Sequence, residues 1–406
     1  MLGLLLSSGG APDAQQATTP TEPSTVAQLR LDDGRAQYPA VLANAFIDIN
    51  VGSINYPFSS LQLEPGYHVE SVEVPHAAVR AVLFGKHFGR YLSAQASYMR
   101  PARYVEYSGL DDGGTRSAWM AFGSVSLLSR LPITRRVSVY GEGGLAITNR
   151  RGFEIGNTPV VKDATFWGPL VGSGIELQIN RRWDAVAGLT YVAGSDEHQQ
   201  PGTTFTSAGF RYNLRPLPDA QVAAARSANF AFPAHLVQVG YSTNALGYGW
   251  NNMVSGTVPI FWGGDIEVKR SALTVQYQRG VFHTTKLFSL DVGVRFASWK
   301  SRELGDRFHT LSVYPLLRLT FLRTGPADFY GSYSVAGPTY ISRTVIDGRK
   351  AGGNFTFQDF MAFGAFIGSG RHLNLEVEIN HYSNGNILSE NPGIKIPLTF
   401  KIGYGL

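Results

Sequence analysis

The chain of 406 residues contains no cysteine, which excludes thiol nucleophiles, thiolate metal sites and disulfide scaffolds and is compatible with an oxidising periplasmic route. Charge is also sparse. Asp, Glu, Lys and Arg make up 16% of the residues, and the net charge of +5 gives a mild preference for anionic surfaces without marking a nucleic-acid partner. No run approaches the roughly 18 to 20 apolar residues of a spanning helix. There is no Gly-x-x-x-x-Gly-Lys-Ser/Thr loop, no His-Glu-x-x-His helix and no Gly-x-Ser-x-Gly elbow, so phosphate-loop, zincin and soluble α/β-hydrolase chemistry have no support. No cofactor and no metal are expected.

What is abundant is glycine (46), phenylalanine (24) and tyrosine (19), the composition of tight turns and interfacial aromatic girdles. The apolar fraction of 44% and mean hydropathy of -0.06 look soluble, but strands that alternate polar and apolar residues average to neutral. Such alternation fills the chain. Segments near 42–53, 74–86, 91–104, 116–131, 136–148, 165–180, 183–194 and 203–214 are joined by connections that alternate long and short, as extracellular loops and periplasmic turns do. Parity turns Arg80, Gln95, Ser97 and Glu142 into a narrow lumen, where they should pair with one another. This half, 40–214, resembles the OmpA-like outer-membrane barrels in pattern.

Residues 215–234, with Pro216, Pro218 and an Ala-rich stretch, interrupt the alternation and read as a periplasmic linker with room for one or two helical turns. A second set of segments follows, near 235–245, 258–280, 286–300, 309–323, 328–343, 355–369, 372–384 and 394–406. Here Asp291, Arg295, Arg318, Glu376, Glu378 and Lys401 share the inward parity and should form a buried charge network. Both Phe210-Arg-Tyr-Asn-Leu214 and Leu398 to Leu406 look like terminal barrel strands. The fold class expected is therefore all-β, two consecutive antiparallel transmembrane β-barrels of about eight strands each, against one barrel of about sixteen. Residues 1–14 read as the remnant of a secretory signal and 15–39 as a flexible lead-in.

The chemistry lies in the strand Leu373-Asn-Leu-Glu-Val-Glu-Ile-Asn-His381-Tyr-Ser383-Asn384. Side chains repeat every second residue, so His381 and Ser383 continue the apolar face of Leu373, Leu375, Val377 and Ile379, and Tyr382 turns to the lumen. An imidazole two residues from a hydroxyl on one face can take its proton. Asn384 adds an amide, and Gly385 permits the tight backbone that oxyanion holes use. The ordinary alternative is a pair of surface residues at a strand end.

His381-Tyr-Ser-Asn-Gly385, followed by Asn391-Pro-Gly-Ile394 and a terminal strand, resembles the signature of the outer-membrane lipid A 3-O-deacylases of PagL type. Gly353 to Phe360 is similar to the aromatic-acidic segment of that family, and the resemblance extends over about residues 232–406. It implies an integral outer-membrane carboxylic ester hydrolase acting on lipid A of lipopolysaccharide. His381 would be the general base, Ser383 the acyl nucleophile, Asn384, Gly385 and Asn386 the oxyanion side, and Phe357 a substrate contact. The family's catalytic glutamate falls at Ile394 or Lys395 here, and Glu390, the one acid after Ser383, is the expected substitute, with Asp359 as an alternative. A competing reading is a structural or adhesion double barrel with an inactive deacylase motif. A passive pore is disfavoured by narrow, charge-paired lumens. The linker would allow the two barrels to pack side by side.

Overall fold

The computed structural model describes residues 34–227, 232–257, 264–285, 288–385, 388 and 390–406. The signal remnant at 1–14 and most of the lead-in lie outside the described residues. Eight strands form the first ring: β1 (Ala45–Asn55), β2 (Ala77–Phe88), β3 (Leu92–Pro101), β4 (Thr115–Pro132), β5 (Val137–Arg151), β6 (Ala164–Gln178), β7 (Trp183–Val192) and β8 (Thr203–Leu214). Each pairs antiparallel with the next, and β1 closes on β8 with Ala45 opposite Leu214. The second ring contains β9 (His235–Ser242), β10 (Ile266–His283), β11 (Phe288–Ser301), β12 (Arg307–Arg323), β13 (Ala327–Ile341), β14 (Phe355–Ile367), β15 (Leu373–Ser383) and β16 (Ile394–Gly405). It closes between β9 and β16, from Leu236 opposite Gly405 to Ser242 opposite Thr399. Two closed rings replace the single large barrel, and closure leaves neither ring with an unpaired edge.

Alternation becomes architecture directly. On β11, Val292, Val294 and Phe296 are exposed on the outer wall while Asp291 and Arg295 are buried. No helix among the described residues is long and apolar enough to cross a membrane, and the strands supply the outer apolar band instead.

The lumens are filled by the expected charges. In the first barrel the Arg80 guanidinium donates to both Glu142 oxygens at 3.0 and 2.5 Å and to Ser97 Oγ at 3.0 Å, while Gln95 donates to Glu142 at 2.9 Å. In the second, Arg295 holds Glu378 in a two-pronged pair at 2.8 and 2.6 Å, Lys401 bridges Glu376 at 2.8 Å and Glu378, and Arg318 pairs with Asp291 at 2.5 Å. The mouth nearest the site is sealed by an apolar cluster that includes Trp299, Phe308, Tyr382 and Ile396. A lumen filled and capped in this way offers no support to a pore.

Two expectations change. Residues 34–39, assigned to a flexible lead-in, are bound. Ala36 is buried against Val222 and Ala225 of helix α1 (Asp219–Arg226), the Gln37 amide exchanges hydrogen bonds with both backbone groups of Leu217, and Arg35 donates to the Phe232 and Pro233 carbonyls at 2.9 Å. Satisfying otherwise orphaned linker carbonyls is the physical reason for that order. The start of the segment expected from 258 lies outside the described residues, β10 is described from Ile266, and the stretch before 258 forms a second helix, α2 (Gly249–Thr257), where no helix was expected.

Because the second ring is closed, a chain starting at Ser227 should refold in detergent without the first half and show heat-modifiable migration on a denaturing gel. Aggregation of that fragment where the intact protein refolds would show that the rings depend on each other.

Candidate active site

β15 leaves the lumen network and ends in the site. Leu373, Leu375 and Val377 on its outer face are 38 to 43% exposed, yet His381 and Ser383 on the same face are only 1% and 6% exposed. The expectation of side chains open to lipid is thus corrected: this end of the wall is covered. Helix α2 packs on β15 and β16, anchored by Asn251 Nδ2 donating to the Ile396 carbonyl at 2.8 Å. Tyr248, just before it, donates to the Val268 carbonyl, and burial pushes its phenol up to about 12, which keeps it a neutral donor. Three of the four connections at this end (243–265, 342–354 and 384–393, but not 302–306) are longer than any at the other (284–287, 324–326, 368–372), which marks it as extracellular.

Pairing across strands assembles the residues. β14 runs beside β15 with Phe357 opposite Ser383 and Asp359 opposite His381. Asp359 Oδ2 lies 4.0 Å from His381 Nδ1, and its Oδ1 accepts from the Ala336 N–H at 2.6 Å. A bulge in β13 between Ser334 and Gly337 makes that bond possible, with Ala336 at φ 52°. An alanine in this sparsely populated region is held there by its surroundings, as is common around functional side chains.

The Ser383 hydroxyl oxygen accepts two hydrogen bonds, from the Gly385 N–H at 3.1 Å and from Asn391 Nδ2 at 2.8 Å. Gly385 sits at φ 66°, where glycine is the natural residue. Asn384 is turned into the loop: its N–H donates to Asn391 Oδ1 at 3.0 Å and its Nδ2 to the Glu390 carbonyl at 3.3 Å. Asn384 therefore holds the loop that presents Asn391, a residue sequence reasoning left in a motif without assigning it a role. Asn386 lies outside the described residues.

Glu390 is the acid expected to orient the imidazole. It is solvent-facing, at φ 57°, and its carboxylate lies 3.2 Å from Lys350 Nζ. The carboxylate facing His381 is that of Asp359. On the other flank of β15, Lys395 of β16 stands opposite His381, and its Nζ is 3.5 Å from Glu267 Oε1. Tyr382 points into the lumen as expected, sharing hydrogen bonds of 3.1 Å with Thr310 and Gln358. Among the described residues no His, Asp or Glu cluster has the geometry of a metal site.

Three of the solved structures similar to this chain show what the likeness covers. The outer-membrane enzyme PagL is similar at 15% identity over 42% of this chain and 97% of its own, with a TM-score of 0.28. The N-terminal β-barrel domain of Pseudomonas aeruginosa OprF shows 14% identity over 42% and 98%, TM-score 0.27. Ail of Yersinia pestis, in complex with a heparin analogue, shows 16% over 42% and 99%, TM-score 0.28. No curated protein matches the chain. Closed barrels with apolar outer walls make this an integral outer-membrane protein. Residues 271–400, which contain His381, Ser383, Asp359, Asn391 and Lys395, match the family model described as lipid A 3-O-deacylase (PagL).

Proposed function

We propose that the second barrel hydrolyses the 3-O-linked acyl ester of lipid A at the outer leaflet. The observation that carries this reading is the Ser383 hydroxyl, on the same strand face as His381 and met by two donors, Gly385 N–H and Asn391 Nδ2. Ser383 Oγ attacks the ester carbonyl carbon while His381 takes its proton, and the sugar hydroxyl leaves with that proton. Water, deprotonated by His381, then releases the fatty acid from the acyl-serine. The donors converging on Ser383 lie where negative charge develops on the carbonyl oxygen, so they are the groups to stabilise it. Phe357, opposite Ser383, gives the acyl chain an apolar neighbour at the wall. Asp359 orients the imidazole.

Purified protein in detergent micelles tests these roles. Asp359→Asn should lower turnover by at least about a hundredfold, in the direction seen when a triad acid is neutralised. Glu390→Gln should change the rate little, since an exposed ion pair is worth about 0–1 kcal/mol. A full rate for Asp359→Asn, or a large loss for Glu390→Gln, would reassign the acid.

One observation favours a second reading. Lys395 stands opposite His381 where the resemblance expects the family's glutamate, and the lack of that acid carries a cost in turnover. If that cost dominates, the chain is a structural or adhesion double barrel, and no Ser383-dependent release of fatty acid will be found.

A further inference from the structure

The periplasmic mouth of the first barrel has no part in the chemistry above. There, a cavity of about 100 Å³ is lined by Arg130, Arg135, Arg136, Arg215, Glu176 and Asp184, among others. Its volume holds roughly three water molecules, the scale of one small oxyanion. Both acids are already engaged. Glu176 receives Arg130 at 2.6 Å and Arg211 from the lumen, and Asp184 accepts from Asn213 at 2.7 Å. The cations are not balanced in return. Among the described residues Arg215 hydrogen-bonds to a neutral partner, Asn44 Oδ1, at 3.4 Å, and the exposed Arg135 and Arg136 side chains have no carboxylate partner there. Burial holds the Arg215 guanidinium below its ordinary value, with Asp184 opposing and Arg130 and Arg181 adding to that effect.

Three guanidiniums from two chain segments, the β4–β5 turn and the start of the linker, thus converge on one small hollow with their donors unspent on carboxylates. Planar guanidiniums suit phosphate oxygens because they donate in parallel pairs. Scattered interfacial arginines would serve as head-group anchors without such a hollow. We propose that this mouth is a binding site for a single phosphate-class oxyanion, either free or as the head group of an anionic phospholipid of the periplasmic leaflet.

The test uses the full chain in uncharged detergent micelles, titrated calorimetrically with inorganic phosphate, and in nanodiscs of zwitterionic lipid doped with phosphatidylglycerol, read by native mass spectrometry. We expect one equivalent bound, weakened about tenfold or more in Arg135→Gln/Arg136→Gln and unaffected by Arg103→Gln, an exposed arginine in the loop after β3 at the opposite mouth. Heat-modifiable migration confirms that each variant is folded. Retention of phosphatidylglycerol without binding of inorganic phosphate assigns the site to the head group, and binding of both assigns it to the phosphate itself. Binding of neither overturns the proposal, as does equal loss in Arg103→Gln or no loss in the double variant.

Discussion

Ser383→Ala and His381→Ala are each expected to abolish release of fatty acid from lipid A, lowering the rate by several orders of magnitude while leaving the barrel folded. Removing either member of a serine-histidine pair costs about as much as removing both, because the two act as one unit. Stability should change little for Ser383→Ala, whose hydroxyl bonds to Gly385 and Asn391 among the described residues, and somewhat more for His381→Ala, whose side chain is buried, while the lumen network of both variants is intact. Single-turnover assays with a fluorescent acyl ester, read beside heat-modifiable migration, separate the two effects. Retained activity in both variants would remove Ser383 and His381 from the mechanism.

Glu378→Ala is expected to produce the largest loss of stability. Glu378 is fully buried and is the carboxylate shared by Arg295, at 2.6 and 2.8 Å, and Lys401. Among the described residues, its removal leaves Arg295 with Gln276 Oε1 and no acid, and Lys401 with Glu376 and Gln276 Oε1. Breaking a buried pair from one side costs about 3–5 kcal/mol, because the remaining charge cannot recover its hydration. Denaturant unfolding in detergent should therefore shift by that amount for Glu378→Ala. For Glu390→Ala, whose partner is exposed, it should shift by less than about 1 kcal/mol. Comparable shifts for the two would mean that water already solvates the lumen.

The barrel strands were legible in the sequence because one physical rule, alternation across a wall, governs nearly every residue of them. That rule alone places Arg80 with Glu142, and Arg295 with Glu378, in the correct lumens. It failed where the chain leaves the wall. Gly249-Trp-Asn-Asn-Met-Val-Ser-Gly-Thr257 is poor in helix formers, and its helical order rests on tertiary contacts such as Asn251 to the Ile396 carbonyl, which no local window reports. Parity placed His381 and Ser383 on the outer face correctly but could not show that this end is covered.

Proximity in sequence points to Glu390 as the acid, and the sheet offers a second candidate. Glu390 is the nearest carboxylate following Ser383, but a sheet supplies neighbours from the adjacent strand, and Asp359 faces His381 across β14. The aromatic-acidic segment containing Asp359 was the available signal. Asn391 was visible only as part of Asn-Pro-Gly; its role depends on a turn through Gly385 that brings a residue eight positions away back to Ser383 Oγ.

The central claim is that this chain removes an ester-linked acyl group from lipid A through Ser383. Mass spectrometry of lipid A from cells with the chain, without it, and with Ser383→Ala in its place tests that claim most directly. The account predicts loss of one 3-O-linked acyl chain with the wild-type protein alone. Identical lipid A in all three, from cells whose outer membranes contain the folded protein, would contradict it.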